Sequence, residues 1–315
     1  MKKLLFIATG GTIASGDSGS GLSPEASAEE LLSGVNLPDA EIHAIQPFAL
    51  DSTDLTPQHW MEVAALIRDR WQDFDGFVIT HGTDTMAYGA AALSCLIQSA
   101  CKPVILTGSQ LPMSAPDTDA RRNLSDALLC AERGRAGVWV CFCGRVIAGN
   151  AARKVHTRDF DAFRGFTEDD EHRVEEFLTA EDGGTVFYNR LDPSAAVLKL
   201  TPGISAEMVH DMGIHLRALI VEGFGMGGIP DYGNGELSEV FRNLSSCGVR
   251  VIMTTQVFQG GCDLSVYKVG RAAQEAGLIA AEGMTTEYAV MRAMWALAYS
   301  YDADNFRGLF LDKRN

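Results

Sequence analysis

The chain has 315 residues, of which 46% are hydrophobic and 21% charged, and a net charge of −15. That is the composition of a soluble globular protein long enough for two domains. The excess of acid repels phosphate backbones and argues against a nucleic-acid partner. No stretch reaches the roughly 18 consecutive apolar residues of a membrane span.

The first segment, MKKLLFIATGGT, has two lysines before an apolar run. The run is too short for a secretory h-region and no small-residue cleavage site follows, so it reads as a buried first strand. The seven cysteines are odd in number and form no CxxC pair. They fit reduced core thiols and a cytoplasmic setting, and the CFC at 141–143 has no second ligand pair to make a metal site.

Next, SAEELLSGV predicts a helix with Ser27 and Glu30 as a capping box. EIHAIQPF reads as a strand. TPQHWMEVAALIRDRW reads as a helix with Thr56 at the N-cap and Pro57 at its first position. Strand GFVIT, a helix over 85–98, strand PVILTG, helix DARRNLSDALLCAERG and strand AGVWVCFC continue the alternation. Short apolar strands separated by helices imply βαβ units and a sheet covered on both faces.

Residues 164–194 are charged and turn-rich and read as a linker or surface excursion. The pattern then restarts with strand AVLKL, helix SAEMVHDMG, strand ALIVEGFG, helix GELSEVFRNLSSCG and strand VRVIMTTQ, and TTEYAVMRAMWALAYS closes it as a final helix. The fold class is therefore α/β with two domains: a larger N-terminal parallel-sheet domain of flavodoxin or Rossmann type over 1–185, a linker over 186–194, and a smaller α/β domain over 195–315.

Ligands of open parallel sheets bind beyond the C-terminal ends of the strands. The polar groups found there are TGGT at 9–12, DST at 51–53, HGTDT at 81–85 and TGSQ at 107–110, with NAARK at 150–154 at this point or one loop further on. In TGGT two glycines permit a tight turn and Thr12 offers a hydroxyl. The chain has neither GxxxxGK[ST] nor GxGxxG at this turn, so a phosphate loop is disfavoured. SGDSGSGLSP, which follows, has the composition of a lid. In HGTDT, Asp84 or Thr85 could simply cap the next helix. Alternatively, Thr83 and Asp84 could join Lys154 in a Thr–Lys–Asp set that activates a hydroxyl or a water, by the logic of the serine triad. His81 reads as a structural hydrogen-bonder. Val290, Met291, Met294, Trp295 and Leu297 read as core or dimer contact.

TGGTIAS and VITHGTDTM, with DSTDLTPQHW, VILTGSQLP, DAFRGF, KLTPGIS and YKVGR, resemble the bacterial-type L-asparaginases, specifically their cytoplasmic type I branch. The resemblance implies hydrolysis of the side-chain amide of L-asparagine to L-aspartate and ammonia, with no metal or organic cofactor. It implies Thr12 as nucleophile, Thr83, Asp84 and Lys154 as the second catalytic set, and Asp84 as partner of the substrate ammonium. Gly11, Asp51, Ser52, Thr53, Gly82 and Ser109 would line the substrate site, with Ser52 and Thr53 holding the α-carboxylate. It further implies a homodimer or homotetramer in which a neighbouring subunit closes each site.

Two departures stand out. The lid stretch has no tyrosine, leaving Ser18, Ser20 or Ser23 as substitutes or Tyr288 as a candidate from the C-terminal region, and Gly283 stands where some relatives carry an acid. Two other functions fit the scaffold. One is the amidase subunit of a tRNA-dependent amidotransferase, which carries an extra N-terminal domain, whereas this chain begins directly at the first strand. The other is a non-catalytic amino-acid sensor, against which the presence of Thr12, Thr83, Asp84 and Lys154 argues.

Overall fold

The computed structural model describes residues 1–17, 22–33, 35, 39–177, 184–265 and 277–312. The chain divides into two compact units, with the boundary between Asn189 and Arg190.

The first unit is built on a seven-stranded sheet. Its strands are β1 (Lys2–Ala8), β2 (Ala40–Ile45), β3 (Gly76–Thr80), β4 (Pro103–Thr107), β5 (Gly137–Phe142), β6 (Arg145–Ala148) and β7 (Glu171–Arg173), in the spatial order β7-β6-β5-β4-β3-β1-β2. The first five run parallel in the order 2-1-3-4-5, which is the flavodoxin-like arrangement, and β6 and β7 add an antiparallel edge. Registers Ala8↔Thr80 and Thr80↔Thr107 bring the C-terminal ends of β1, β3 and β4 level.

Every residue of β3 and β4 is buried, as expected of strands covered on both faces. Alternate residues divide between the two sides. Leu4, Phe6, Val78 and Ile105 join a core with Ala28 and Leu31 of α1 (Ala28–Ser33) and with Leu124, Ala127 and Leu128 of α4 (Ala120–Arg133). Helices α2 (Pro57–Asp69) and α3 (Met86–Leu96) pack on each other, and α3 lies against β4 and β5. Burying each large apolar side chain contributes about 1.5–3 kcal/mol, and these positions hold the strand ends in place.

The expected capping box at Ser27 is present: Ser27 N donates to Glu30 Oε2 at 2.7 Å, and Glu30 N donates to Ser27 Oγ at 3.2 Å. Thr56 also forms a box, but with His59 as its partner.

Two readings of the first unit change. The strand expected to end in CFC turns back on itself. Cys143 and Gly144, at φ 51° and 73°, make a two-residue turn into β6. The region from 164 is also more than an excursion. Glu171–Arg173 is the edge strand β7. In α5 (Val174–Phe177), Phe177 is fully buried with its ring 4.8 Å from that of Trp139. Val186–Phe187 pairs with Ile97–Gln98. Its charges masked this packing, since Glu171 is needed by Arg145 at 2.9 Å.

The second unit carries an all-parallel sheet in the order β8 (Ala195–Lys199), β9 (Ala218–Gly223), β10 (Arg250–Thr255), β11 (Ile279–Ala280). On one face Leu219, Val221, Val251 and Met253 meet Val209 of α6 (Ala206–Gly213) and Phe241 and Leu244 of α7 (Glu236–Ser246). Helix α8 (Thr286–Tyr299) packs on β8, β9 and β10. Val290, Met291, Met294, Trp295 and Leu297 are buried within this unit. The chain does not close on α8. A further helix, α9 (Ala303–Leu311), follows, and its last turn is capped by the buried Arg292, which donates to the carbonyls of Leu309, Phe310 and Asp312. Among the described residues, no helix is long and apolar enough to cross a membrane.

Candidate active site

The loops after β1, β2, β3 and β4 converge at the point where the strand order reverses, between β1 and β3. Hydrogen bonds lock them together. Leu50 N donates to Thr9 O at 3.0 Å, Gly11 N to Leu50 O at 2.9 Å, Thr9 Oγ1 to Thr80 O at 2.6 Å, and His81 N to Thr107 O at 2.8 Å.

Glycine makes the convergence possible. Gly11 sits at φ 78°, and a Cβ there would stand 2.4 Å from the Cα of Gly82. A Cβ on Gly82 would stand 2.6 Å from Ser52 Oγ. Three strand ends thus touch at positions where a side chain has no room.

Thr83, Asp84 and Lys154 meet. Lys154 Nζ donates to Thr83 Oγ1 at 2.8 Å and to Asp84 Oδ1 at 2.7 Å. Thr83 is buried, Lys154 largely so, and the Asp84 side chain is 61% exposed and open to a ligand. The capping alternative fails: Thr85 holds the N-cap position of α3 without a side-chain cap bond, and its hydroxyl instead donates to Ser52 O at 2.7 Å.

Lys154 does not end a strand of the large sheet. It lies one loop further on, in a two-residue antiparallel pair of Arg153–Lys154 with Phe163–Arg164. Asp161 anchors that pair by ion pairs to Arg164 at 2.6 Å and Arg145 at 3.1 Å. Hydrogen bonds from Arg164, helped by Arg145, hold the Asp161 carboxyl down at about 2.

Thr12 is half-buried and opens a single 3-10 turn, Thr12–Ala14, immediately after Gly11. Among the described residues, no group hydrogen-bonds to its hydroxyl. The lid stretch pairs its two ends, Ser15–Asp17 with Leu22–Pro24, and residues 18–21 between them lie outside the described residues, as does YKVGR.

Asp51 Oδ1 accepts from Thr53 N at 2.8 Å and Thr53 Oγ1 at 2.7 Å. The backbone N–H of Thr53 is the main reason the Asp51 carboxyl lies below the usual range. Ser52 is buried in the same turn, and Thr53 is exposed. Ser109 is buried with its hydroxyl turned onto Leu111 O. Tyr288 is buried in α8 of the second unit.

His81 is structural. Trp60 Nε1 donates to its Nε2 at 3.1 Å, which leaves Nδ1 as the protonated nitrogen facing Gly82 O at 2.8 Å. Burial depresses it to about 4, so it is neutral at ordinary pH.

Gln110 was not singled out from the sequence, although TGSQ ends at it. Its Oε1 accepts from Thr83 Oγ1 at 3.1 Å and its Nε2 donates to Asp159 O at 2.9 Å. Asp119 holds the loop below, accepting from the backbone N of Gln110 and Leu111 and from Asn123 Nδ2. The available signal was an Asp just before helix α4, but its partners were not visible in one dimension.

A family model described as "Asparaginase, N-terminal" matches residues 3–181, and one described as "Glutaminase/Asparaginase C-terminal domain" matches 195–310. The L-asparaginase of Thermococcus kodakarensis is 38% identical, over 97% of this chain and 95% of its own. The solved structure of the thermostable L-asparaginase from that organism superposes with a TM-score of 0.90 over 99% of this chain and 98% of its own, at 36% identity. L-asparaginase I of Vibrio cholerae gives 0.85, covering 99% and 97%, at 29% identity. With both family models matched in order along the chain, and with the threonine, aspartate and lysine gathered at the switch point of the first sheet, this chain belongs to the asparaginase family.

Proposed function

We propose that this amidohydrolase of the asparaginase family hydrolyses the side-chain amide of L-asparagine to L-aspartate and ammonia, with Thr12 as nucleophile and Thr83, Asp84 and Lys154 as the set that handles protons. The single observation that carries this reading is Lys154 Nζ at hydrogen-bond distance from both Thr83 Oγ1 and Asp84 Oδ1.

Each part of the substrate has a counterpart. The exposed carboxylate of Asp84 pairs with the α-ammonium. Ser52 and Thr53, in the turn ordered by Asp51, take the α-carboxylate, with the Thr53 hydroxyl turning to it from Asp51 Oδ1. Gly11, Gly82 and Ser109 shape the walls, the first two leaving backbone uncovered at the point of contact. Thr12 Oγ1 attacks the amide carbon, and backbone N–H groups beside Thr83 receive the oxyanion, a contribution of about 3–4 kcal/mol per donor. The proton of the Thr12 hydroxyl passes to the amide nitrogen, the C–N bond breaks, ammonia leaves, and a Thr12 acyl ester remains. Water activated by the Thr83–Lys154 pair then adds to the ester, releasing L-aspartate and restoring the Thr12 hydroxyl.

The test is ammonia release from L-asparagine and L-glutamine by the wild type, Thr12→Ala and Thr83→Ala, with mass spectrometry of the quenched enzyme for the ester on Thr12. Wild-type turnover in Thr12→Ala would remove it as nucleophile.

Two further readings concern the setting and the assembly. All seven cysteines are free, which supports a cytoplasmic, reducing setting. The resemblance to type I enzymes supports a homodimer or homotetramer, tested by light scattering of the purified protein.

A further inference from the structure

A threonine hydroxyl has one proton and two acceptor sites. In Thr83 one acceptor site is filled by Lys154 Nζ at 2.8 Å, and the hydroxyl proton is directed to Gln110 Oε1 at 3.1 Å. The orientation of the Gln110 amide is determined by its surroundings. Its Nε2 donates to the backbone carbonyl of Asp159 at 2.9 Å, so a flipped amide would set two carbonyl oxygens against each other. Asp159 lies between the two halves of the Arg153–Lys154 and Phe163–Arg164 pair, on the segment that returns from Lys154.

One side chain therefore bridges three pieces of chain. It grows from the end of β4, fixes the hydroxyl at the end of β3, and ties down the loop that carries Lys154. Its own backbone is held in turn. Gln110 N donates to both oxygens of Asp119, at 3.1 and 3.0 Å, and Leu111 N donates to Asp119 Oδ1 at 3.1 Å. Asn123 Nδ2, on the buried side of α4, donates to Asp119 Oδ2 at 3.0 Å and to Gly108 O at 3.0 Å.

We infer that Gln110 is a positioning residue of the reaction, setting the rotamer of the Thr83 hydroxyl and the distance of Lys154 from it through one side-chain amide, with its backbone held by Asp119. This inference rests on the Thr83–Lys154 reading above. In it, Gln110 touches neither substrate nor reacting carbon. It acts by keeping a donor and an acceptor at reactive separation, where a displacement of the order of 1 Å lowers the rate about a hundredfold.

The experiment measures kcat, KM for L-asparagine and Tm for four variants. Gln110→Met keeps the length and removes both hydrogen bonds. Gln110→Glu keeps an oxygen against Thr83 and loses the donor to Asp159. Expected are a kcat about tenfold to a hundredfold lower in Gln110→Met with KM within about twofold, and a partial recovery of kcat in Gln110→Glu. Wild-type kcat in a folded Gln110→Met overturns the inference. So does a loss in which Gln110→Glu, folded at the assay temperature, is as slow as Gln110→Met or fails through KM alone. If Gln110→Met does not fold, the kcat of Gln110→Glu decides by the same criterion: a reduced kcat with KM held supports the role, and an unchanged kcat overturns it. Thr83→Ala and Lys154→Met separate the two levels. Wild-type turnover in those variants sinks the catalytic reading itself, whereas their collapse beside an unimpaired Gln110→Met sinks the Gln110 inference only.

Discussion

Both units of this chain carry a parallel sheet, yet the polar groups at the C-terminal ends of their strands are used differently. In the second unit they are turned inward onto the unit's own frame. Gln256 Nε2 donates to Leu200 O at 2.6 Å and Glu222 O at 3.0 Å, and Thr255 Oγ1 donates to Gly225 O. The buried Glu222 carboxylate takes the hydroxyl of Thr286 at 2.7 Å. In the first unit backbone bonds join Leu50 to Thr9, Gly11 to Leu50 and His81 to Thr107, and the hydroxyls of Thr9, Thr85 and Ser109 take only some of the remaining carbonyls. That leaves the Thr12 hydroxyl without a described partner and Asp84 exposed beside Lys154. A parallel sheet offers a rim. What makes a rim chemically useful is that some of its side chains, here those of Thr12 and Asp84, are not needed to satisfy its own backbone.

The contrast should be largest in catalysis. Thr83→Ala and Lys154→Met are each expected to lower kcat about a thousandfold, about 4 kcal/mol of barrier, while Tm changes little, read from ammonia release and thermal melts. A loss of Tm that tracks the loss of activity would return these residues to the structural class occupied by Gln256.

Gly11→Ala tests the close approach. Its φ of 78° and the 2.4 Å contact with Gly82 together predict a destabilisation of about 3 kcal/mol or more, checked by urea unfolding. A neutral result would mean that the loops after β1 and β3 can part.

Acid should weaken the same region through His81. An unfolded histidine takes its proton near pH 6.5, whereas in the fold His81 takes it at about 4. The unfolded chain therefore binds that proton first as the pH falls. The contribution is fully present above 6.5, declines through the interval and is lost by about 4, a change of about 3 kcal/mol. Tm against pH for the wild type and His81→Gln checks this, because the variant should lose that part of the slope.

The smallest effect is expected in the second unit. Gln256→Leu removes the donor from two carbonyls and should reduce stability by about 1–2 kcal/mol, with turnover per folded molecule unchanged, measured by urea unfolding beside the ammonia assay.

Much of the first sheet was legible because its strands are continuous apolar runs between helical periods, and because TGGT and HGTDT stand where such strands stop. The hairpin at Cys143 and Gly144 was missed because its turn lies inside an apolar stretch, where the hydrophobic pattern reads straight through. The strand at Glu171–Arg173 and the core position of Phe177 were hidden by the charges around them, of which Glu171 pairs with Arg145. Helix α9 depends on Arg292 capping carbonyls 17 to 20 residues away, which no local signal announces.

By itself the sequence determined the α/β alternation, the two-part division of the chain and the short polar motifs at the strand ends, because hydrophobic period and turn chemistry are local properties. Only the tertiary structure decided that Lys154 reaches Thr83 across 71 residues and that Thr85 leaves its helix uncapped to bind Ser52. The assignment of the Gln110 amide to Thr83 on one side and Asp159 on the other was likewise a tertiary result. Those contacts follow from strand order and from the few ångströms that glycine frees at Gly11 and Gly82, and neither is written in the spacing of residues along the chain.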